Sequence, residues 1–267
     1  LTPFAIIAGL ILLALFASWE RRREERGEDP LVHLRLFRNI PLRSGLSMML
    51  AQNLILMGIF FTIPLYLQVV LGFDALDTGV RMLPTSAGLF FTALAGSALA
   101  SRVAPKKLVR LGLVVVFASA LMLIGTIEPS LDSTDFLVAM GVLGIGMGLI
   151  VSQLGNVAQS AVGDGDRSEA GGLQYTAQQL GSSLGTAILG AILITGLLAS
   201  FSAHVENHSG ISEQTKTAVE KRLSSGGSFV SSEQVRQAGE EAGFADQEVN
   251  AIVDGYEDSQ LQSLKLA

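Results

Sequence analysis

Long uncharged runs alternate with short charged ones along the chain. Residues 1–19, 44–73, 82–101, 111–127, 136–163 and 170–205 contain no Asp, Glu, Lys or Arg. A helix needs about 20 apolar residues, within a range of roughly 17–25, to cross a bilayer's hydrocarbon core. Lipid offers backbone N–H and C=O groups no partner, so each run predicts a helix. The pattern therefore predicts spans over roughly 1–19, 44–71, 78–101, 108–127, 135–162 and 169–200.

The connections carry the orientation signal. "ERRREERGEDP" follows the first span, and "LVHLRLFRNI" follows it. There Leu31, Leu34 and Phe37 oppose Arg35 and Arg38, which suits a short amphipathic helix in the headgroup plane. The loops after the first, third and fifth spans are basic, and the loops after the second and fourth carry no Lys or Arg. Lys and Arg mark cytoplasmic loops, so the spans read as an up-and-down bundle with those three loops inside. Residues 202–267 then lie outside. Three organisational units follow: 1–43, a linker span and cytoplasmic amphipathic loop; 44–201, five spans; and 202–267, an outer loop.

Composition agrees with that reading. The chain is 49% hydrophobic and only 16% charged, against roughly 25% charged in soluble domains. The net charge of −6 comes wholly from residues 202–267, since acidic and basic residues balance before them. That tail predicts short helices over roughly 211–224, 232–242 and 245–260, resting weakly on the outer membrane surface. With no cysteine, disulfides and thiolate metal sites are excluded. The chain opens inside an apolar run and closes on the start of another, so it is expected to be a piece of a longer protein lacking its last helix.

"GVLGIGMGLI" at 141–150 has the glycine spacing of a dinucleotide loop. Such a loop needs a strand before it and an amphipathic helix after it. Residues 136–163 are uncharged throughout, so the glycines are expected to form a groove for close helix packing instead. Gly181 and Gly185 predict the same in the sixth run. Polar residues inside spans are costly and should face a cavity or another helix. Candidates for a substrate pathway are Gln52, Asn53, Gln153, Asn156, Gln174, Tyr175 and Gln178. Two readings stay open for them: cavity lining, or glue between helices. The fourth span has almost no polar residues and should face lipid. Arg81 and Asp77, spaced i and i−4, predict an ion pair or outer gate. No carboxylate lies deep in a span, no nucleophile stands beside a base, and no metal cluster, Walker motif or cofactor site is legible. His33, His204 and His208 are expected to be solvated.

"PLVHLRLFRN", "FTIPLYLQVVLGFDALDTGVRMLP", "GSALASRVAPKKLVRLGL" and "EAGGLQYTAQQLGSSLGTAILGAIL" together resemble the fourteen-span drug:proton antiporters of the major facilitator superfamily. The resemblance implies an all-α polytopic bundle, the C-terminal half of such a transporter without its final span. It implies two inverted three-helix repeats, with the first two helices of each lining the cavity. The turn bearing Arg102, Lys106 and Lys107 resembles the superfamily's basic loop, but no Asp precedes Arg102 and Ala104 replaces the usual Gly. Its lysines are expected to anchor the turn to anionic lipid. The implied function is proton-coupled efflux of small amphiphilic compounds by alternating access, and no enzymatic activity is expected. The implied partners are the bilayer, a small-molecule substrate, protons and the missing N-terminal half, with no nucleic acid. A facilitator or importer of the same fold, or a non-transporting membrane domain, are the alternatives.

Overall fold

A computed structural model describes residues 2–28, 30–99, 102–128, 133–224 and 229–266. Among them there is no strand. The helices are α1 (Thr2–Glu25), α2 (Ile40–Leu65), α3 (Ala75–Leu99), α4 (Pro105–Thr126), α5 (Ser133–Gln159), α6 (Arg167–Asn207), α7 (Glu213–Ser224), α8 (Ser232–Glu241) and α9 (Asp246–Leu266). Each of the six uncharged runs is mainly helical among its described residues. Among the described residues, Ile40–Val70, Pro105–Thr126, Thr134–Leu154 and Asp164–Asn207 are long and apolar enough to cross a membrane. α1 and α3, with 24 and 25 residues, are unbroken helices beside them.

Connections alternate between two ends of the bundle. Asn39 Nδ2 donates to Ala161 O at 2.6 Å, which joins the α1–α2 and α5–α6 loops at one end. Gln153 Nε2 reaches Gly96 O, so the α3–α4 turn lies toward that same basic end. At the other end the Tyr66 hydroxyl donates to Glu128 O at 2.7 Å and accepts from Glu128 N at 3.2 Å, tying the second and fourth connections together.

Local chemistry places the helix ends. Asn39 accepts from Leu42 N and caps α2, with Pro41 just inside. Pro64 removes a backbone donor near the far end of α2, and the chain continues as a π-helical turn over Tyr66–Val70. Asp74 then accepts from Asp77 N at 2.7 Å and starts α3. The expected amphipathic helix is a 3₁₀ turn, Leu34–Arg38. Leu36, not Leu31 or Phe37, is its buried residue. The three-residue period turns Leu36 inward against the bundle core, while Leu31 and Phe37 stay exposed. The Leu34 side chain lies outside the described residues.

Glycines set the bundle's pairing. A methyl at Gly144 would land on the Thr85 carbonyl of α3, and one at Gly148 on Thr92. At Gly88 of α3, a methyl would sit 2.7 Å from Gly141 O. Gly146 faces the opposite way, and its methyl would lie 2.8 Å from Val116 N of α4. The spacing that mimics a nucleotide loop thus serves two neighbours of α5 at once. α6 repeats the device on α2, with Gly181 against Leu50 O and Gly185 against Leu54 O. Between these seams α5 buries Phe136, Met140, Leu143, Met147, Ile150 and Leu154. α4 buries Leu108, Gly112, Val116, Ser119 and Leu123 and leaves Val114, Phe117 and Leu121 exposed, as a peripheral helix should.

α6 extends to Asn207, beyond its expected end near 200, and carries a second core. Leu197, Phe201, Val205, Ile211, Ile252 and Tyr256 pack together there, with Val219 and Leu223 against them. Phe201 and Tyr256 meet edge to face at 5.2 Å. The tail helices therefore form a cap seated on α6. α9 runs along α6, where Gly255 makes room for the His204 ring. Contrary to expectation, His204 is half-buried, and it stacks on His208 at 5.3 Å. Ser231 and Gln234 form a capping box that starts α8. Burial raises the Tyr256 hydroxyl's pKa above its ordinary value.

Gly144→Leu should destabilise the bundle by about 1–3 kcal/mol or more through overpacking. Gly9→Leu, which meets open space, should not. Thermal unfolding in detergent distinguishes the two. In the cap, Glu248 accepts from Ser212 N at 2.7 Å and from Thr215 Oγ1 at 3.1 Å. Hydrogen bonds, those from Ser212 foremost, lower its carboxyl pKa from the usual value. The ionised form is the bonded one. Its stabilisation is therefore complete above the ordinary carboxylate pKa and is lost as pH falls through the lowered folded value. Hydrogen exchange at the α7 N-terminus should quicken on such acidification, and Glu248→Gln should abolish that pH response.

Candidate substrate pathway

The polar residues expected along a pathway separate into two environments. Gln153 is completely enclosed. Its Nε2 donates to Gly96 O at 2.9 Å and to Ser152 Oγ at 3.0 Å, while Oε1 has no hydrogen-bond partner. It ties α5 to α3 and faces no open space. Gln174 is 8% exposed, and its Nε2 has no hydrogen-bond partner. Gln52 and Asn53 are half-buried on α2. Asn53 Nδ2 bonds its own helix at Met49 O, and its Cβ lies beside Gly181. The Asn156 side chain lies outside the described residues.

The second environment is an uncovered face of α6. Tyr175 is 65% exposed, Gln178 is half-buried, and Gln179 is exposed. Ser182 and Thr186 continue the same face at helical spacing, with Ser183 alongside. Their hydroxyls bond back to carbonyls of the same helix: Ser182 to Gln178 O at 3.0 Å, Ser183 to Gln179 O at 2.8 Å, and Thr186 to Ser182 O at 3.1 Å. The result is a polar stripe along a helix that is otherwise apolar. Ser182, Ser183 and Thr186 escaped sequence reasoning, because a hydroxyl in a helix is as easily read as packing glue. Period-3.6 continuation of Tyr175 and Gln178 was the signal that could have found them. Beside the stripe, α2 and α6 hold a groove of about 270 Å³ lined by Phe37, Arg43, Ser47, Leu173, Thr176 and Leu180. A larger cavity of about 1000 Å³ lies in the cap, between Phe201, Val219, Leu223, Phe244 and Tyr256.

Arg81 and Asp77 come together as their spacing implied. Arg81 Nη1 is 3.8 Å from Asp77 Oδ1 and donates to Asp77 O at 3.3 Å. The guanidinium also lies 3.8 Å from the Phe73 ring centroid, a cation–π contact. Its Nε is buried without a hydrogen-bond partner. At the basic end, Arg102, Lys106 and Lys107 are exposed. Lys106 and Lys107 occupy the first turn of α4, whose N-cap Ala104 supplies no side-chain bond. Cations there oppose the helix dipole.

The polar cluster that sequence reasoning missed joins the α1–α2 linker to the start of α6. His33, expected to be solvated, is half-buried. Its Nδ1 lies 2.7 Å from Glu169 Oε1, and its backbone N donates to Glu169 Oε2 at 2.8 Å. Arg35 Nη2 reaches Asp166 Oδ1 at 3.1 Å. Ligand-type atoms of His33, Asp166 and Glu169 lie within 4.8 Å of one another. Each of these residues already takes part in a side-chain hydrogen bond or ion pair.

These features define a polytopic helical membrane protein. Residues 1–186 match the Major Facilitator Superfamily, and the chain belongs to that family. It is 33% identical over 199 residues to a probable actinorhodin transporter of Streptomyces coelicolor, covering 73% of this chain and 34% of that protein. It is 32% identical over 173 residues to a tetracenomycin C resistance and export protein of Streptomyces glaucescens, covering 64% of this chain and 32% of that protein. A multidrug efflux pump of Mycolicibacterium smegmatis is 30% identical over 217 residues, covering 81% and 41% of the two chains. The chain thus spans about a third of the length of the first two of these relatives. The relatives are transporters by name, and none is named as an enzyme.

Gln153→Leu should lower thermal stability in detergent by about 1 kcal/mol, the scale of an interhelical hydrogen bond in a membrane. A loss of transport at unchanged stability would instead place Gln153 on the pathway.

Proposed function

We propose that the whole protein is a secondary active exporter of small amphiphilic compounds, driven by inward proton flow across a plasma or bacterial inner membrane. The observation that carries this reading is the uncovered polar stripe on α6. Uncompensated polar groups facing lipid are costly, so such a stripe belongs to a water-filled cavity or a partner half. In this reading the basic end faces the cytoplasm and residues 202–267 lie outside. The bundle rocks against a second six-helix half to give alternating access.

Tyr175, Gln178, Gln179 and the hydroxyls above them hydrogen-bond substrate along the pathway. Gln52, Asn53, Asn156 and Gln174 border it. Arg81 and Asp77 act at the outer gate, where the cation–π contact with Phe73 holds the guanidinium in place. Lys106 and Lys107 meet anionic headgroups at the inner surface. The export and resistance roles in the relatives' names support the direction of transport.

The test is uptake of a fluorescent amphiphile into everted vesicles containing the full-length protein. Gln178→Leu should reduce uptake about tenfold, the equivalent of one lost hydrogen bond of ~1.4 kcal/mol, with membrane abundance unchanged. Collapsing the proton gradient should stop uptake. Uptake that ignores the gradient would make the protein a facilitator. Unchanged uptake by the Gln178 variant would make the stripe a helix-packing face.

A further inference from the structure

We infer that His33 and Glu169 form a proton-responsive tie that positions the first turn of α6, and with it the pathway residues that α6 carries. This inference rests on the export reading above for its transport consequence, but not for its geometry.

The tie is specific on both sides. His33 presents two nitrogens to one carboxylate, the backbone N at 2.8 Å from Oε2 and Nδ1 at 2.7 Å from Oε1. An ionised carboxylate only accepts, so Nδ1 carries the hydrogen. Glu169 lies in the first turn of α6, where a negative charge also complements the helix dipole. The linker around His33 is held elsewhere as well. Leu31 N donates to Glu20 Oε2 at 2.9 Å, and Glu20 is fully buried near the end of α1. Arg35 pairs with Asp166, and Asn39 holds Ala161 O. Residues 31–39 are thereby stitched to α1 on one side and to the α5–α6 turn on the other.

Imidazole is the member of this cluster able to change charge under physiological conditions. The charged groups on the elements around it are Arg167 and Glu169 from the start of α6, Asp164 and Asp166 from the turn before it, Arg35 from the linker and Glu20 from α1. Carboxylates outnumber cations there, so the cluster is net negative and a protonated ring lowers that excess by one charge. The charged ring donates a charge-assisted bond of roughly twice the strength of a neutral one. The tie is therefore firm with His33 protonated and loose with it neutral. Gln174 and Gln178 follow Glu169 on the same helix by roughly one and a half and two and a half turns. A shift of the first turn is carried rigidly to them.

The test is a spin-label distance measurement on the full-length protein in lipid nanodiscs, with labels at Leu31→Cys and Gly165→Cys. Leu31 is exposed, and a side chain at Gly165 meets open space. Any cysteine elsewhere in the full chain is replaced by Ser. Raising pH from about 5.5 to 8 should broaden and lengthen the distance distribution. His33→Lys should keep it narrow throughout, and His33→Asn, a neutral donor, should make it independent of pH. In vesicles held at a constant proton gradient, His33→Lys should weaken the dependence of turnover on cytoplasmic-side pH while leaving the apparent KM within about twofold. A wild-type distribution indifferent to pH, or a pH response that survives in His33→Asn, overturns the tie. A pH-responsive distance alongside gradient-independent uptake would overturn the export reading alone.

Discussion

At the centre of α5, Gly144 meets the Thr85 carbonyl of α3 with no side chain between them, and Gly146 meets α4 in the same way on the other side. Membranes supply no hydrophobic drive for one helix to leave lipid for another, so close van der Waals contact must do that work. It can do so only where Cβ atoms are missing. The α2–α6 seam at Gly181 and Gly185 is the same solution used again. The α5 seams align α3, α4 and α5 as one unit and the α6 seam aligns α2 with α6, leaving α4 at the periphery with its broad apolar face exposed. Because α2 and α6 are paired through glycine, α6 can turn its polar residues away from α2. The uncovered polar stripe is a by-product of how the helices approach.

The polar residues of the spans fall into two kinds with different consequences. Gln153 is spent on Gly96 and contributes to holding α3 against α5. Tyr175 and Gln179 are exposed on α6. Polar residues at membrane depth therefore do not form one class, and chemistry alone does not sort them. What sorts them is whether a neighbouring helix offers an acceptor within reach.

The cap and the linker extend the logic into water. α6 is one helix from Arg167 to Asn207, so the basic end, the polar stripe and the Phe201–Tyr256 core share a single rigid element. Glu169 lies in the first turn of that helix. At the opposite end Arg81 of α3 holds the Phe73 ring of the connection before it, and Tyr66 joins the end of the α2 stretch to Glu128.

Much of this was legible from residue order. Charge-free runs specify helices because lipid leaves the backbone no other partner, and the alternation of Lys and Arg predicts which connections share an end. The glycines of 141–148 are legible as a groove for the same reason, since a nucleotide loop there would lack its strand and its charged helix face. Sequence could not say that Gln153 is a tie, that His33 is bound to Glu169, or that residues 202–267 fold onto α6. Each depends on an acceptor or a notch that is distant in the chain. His33 and Glu169 are 136 residues apart, and the ring of His204 fits only because Gly255 lies opposite it. Periodicity determines what a segment becomes. Which side chains meet is decided by the register in which the helices pack, and only the folded bundle sets that register.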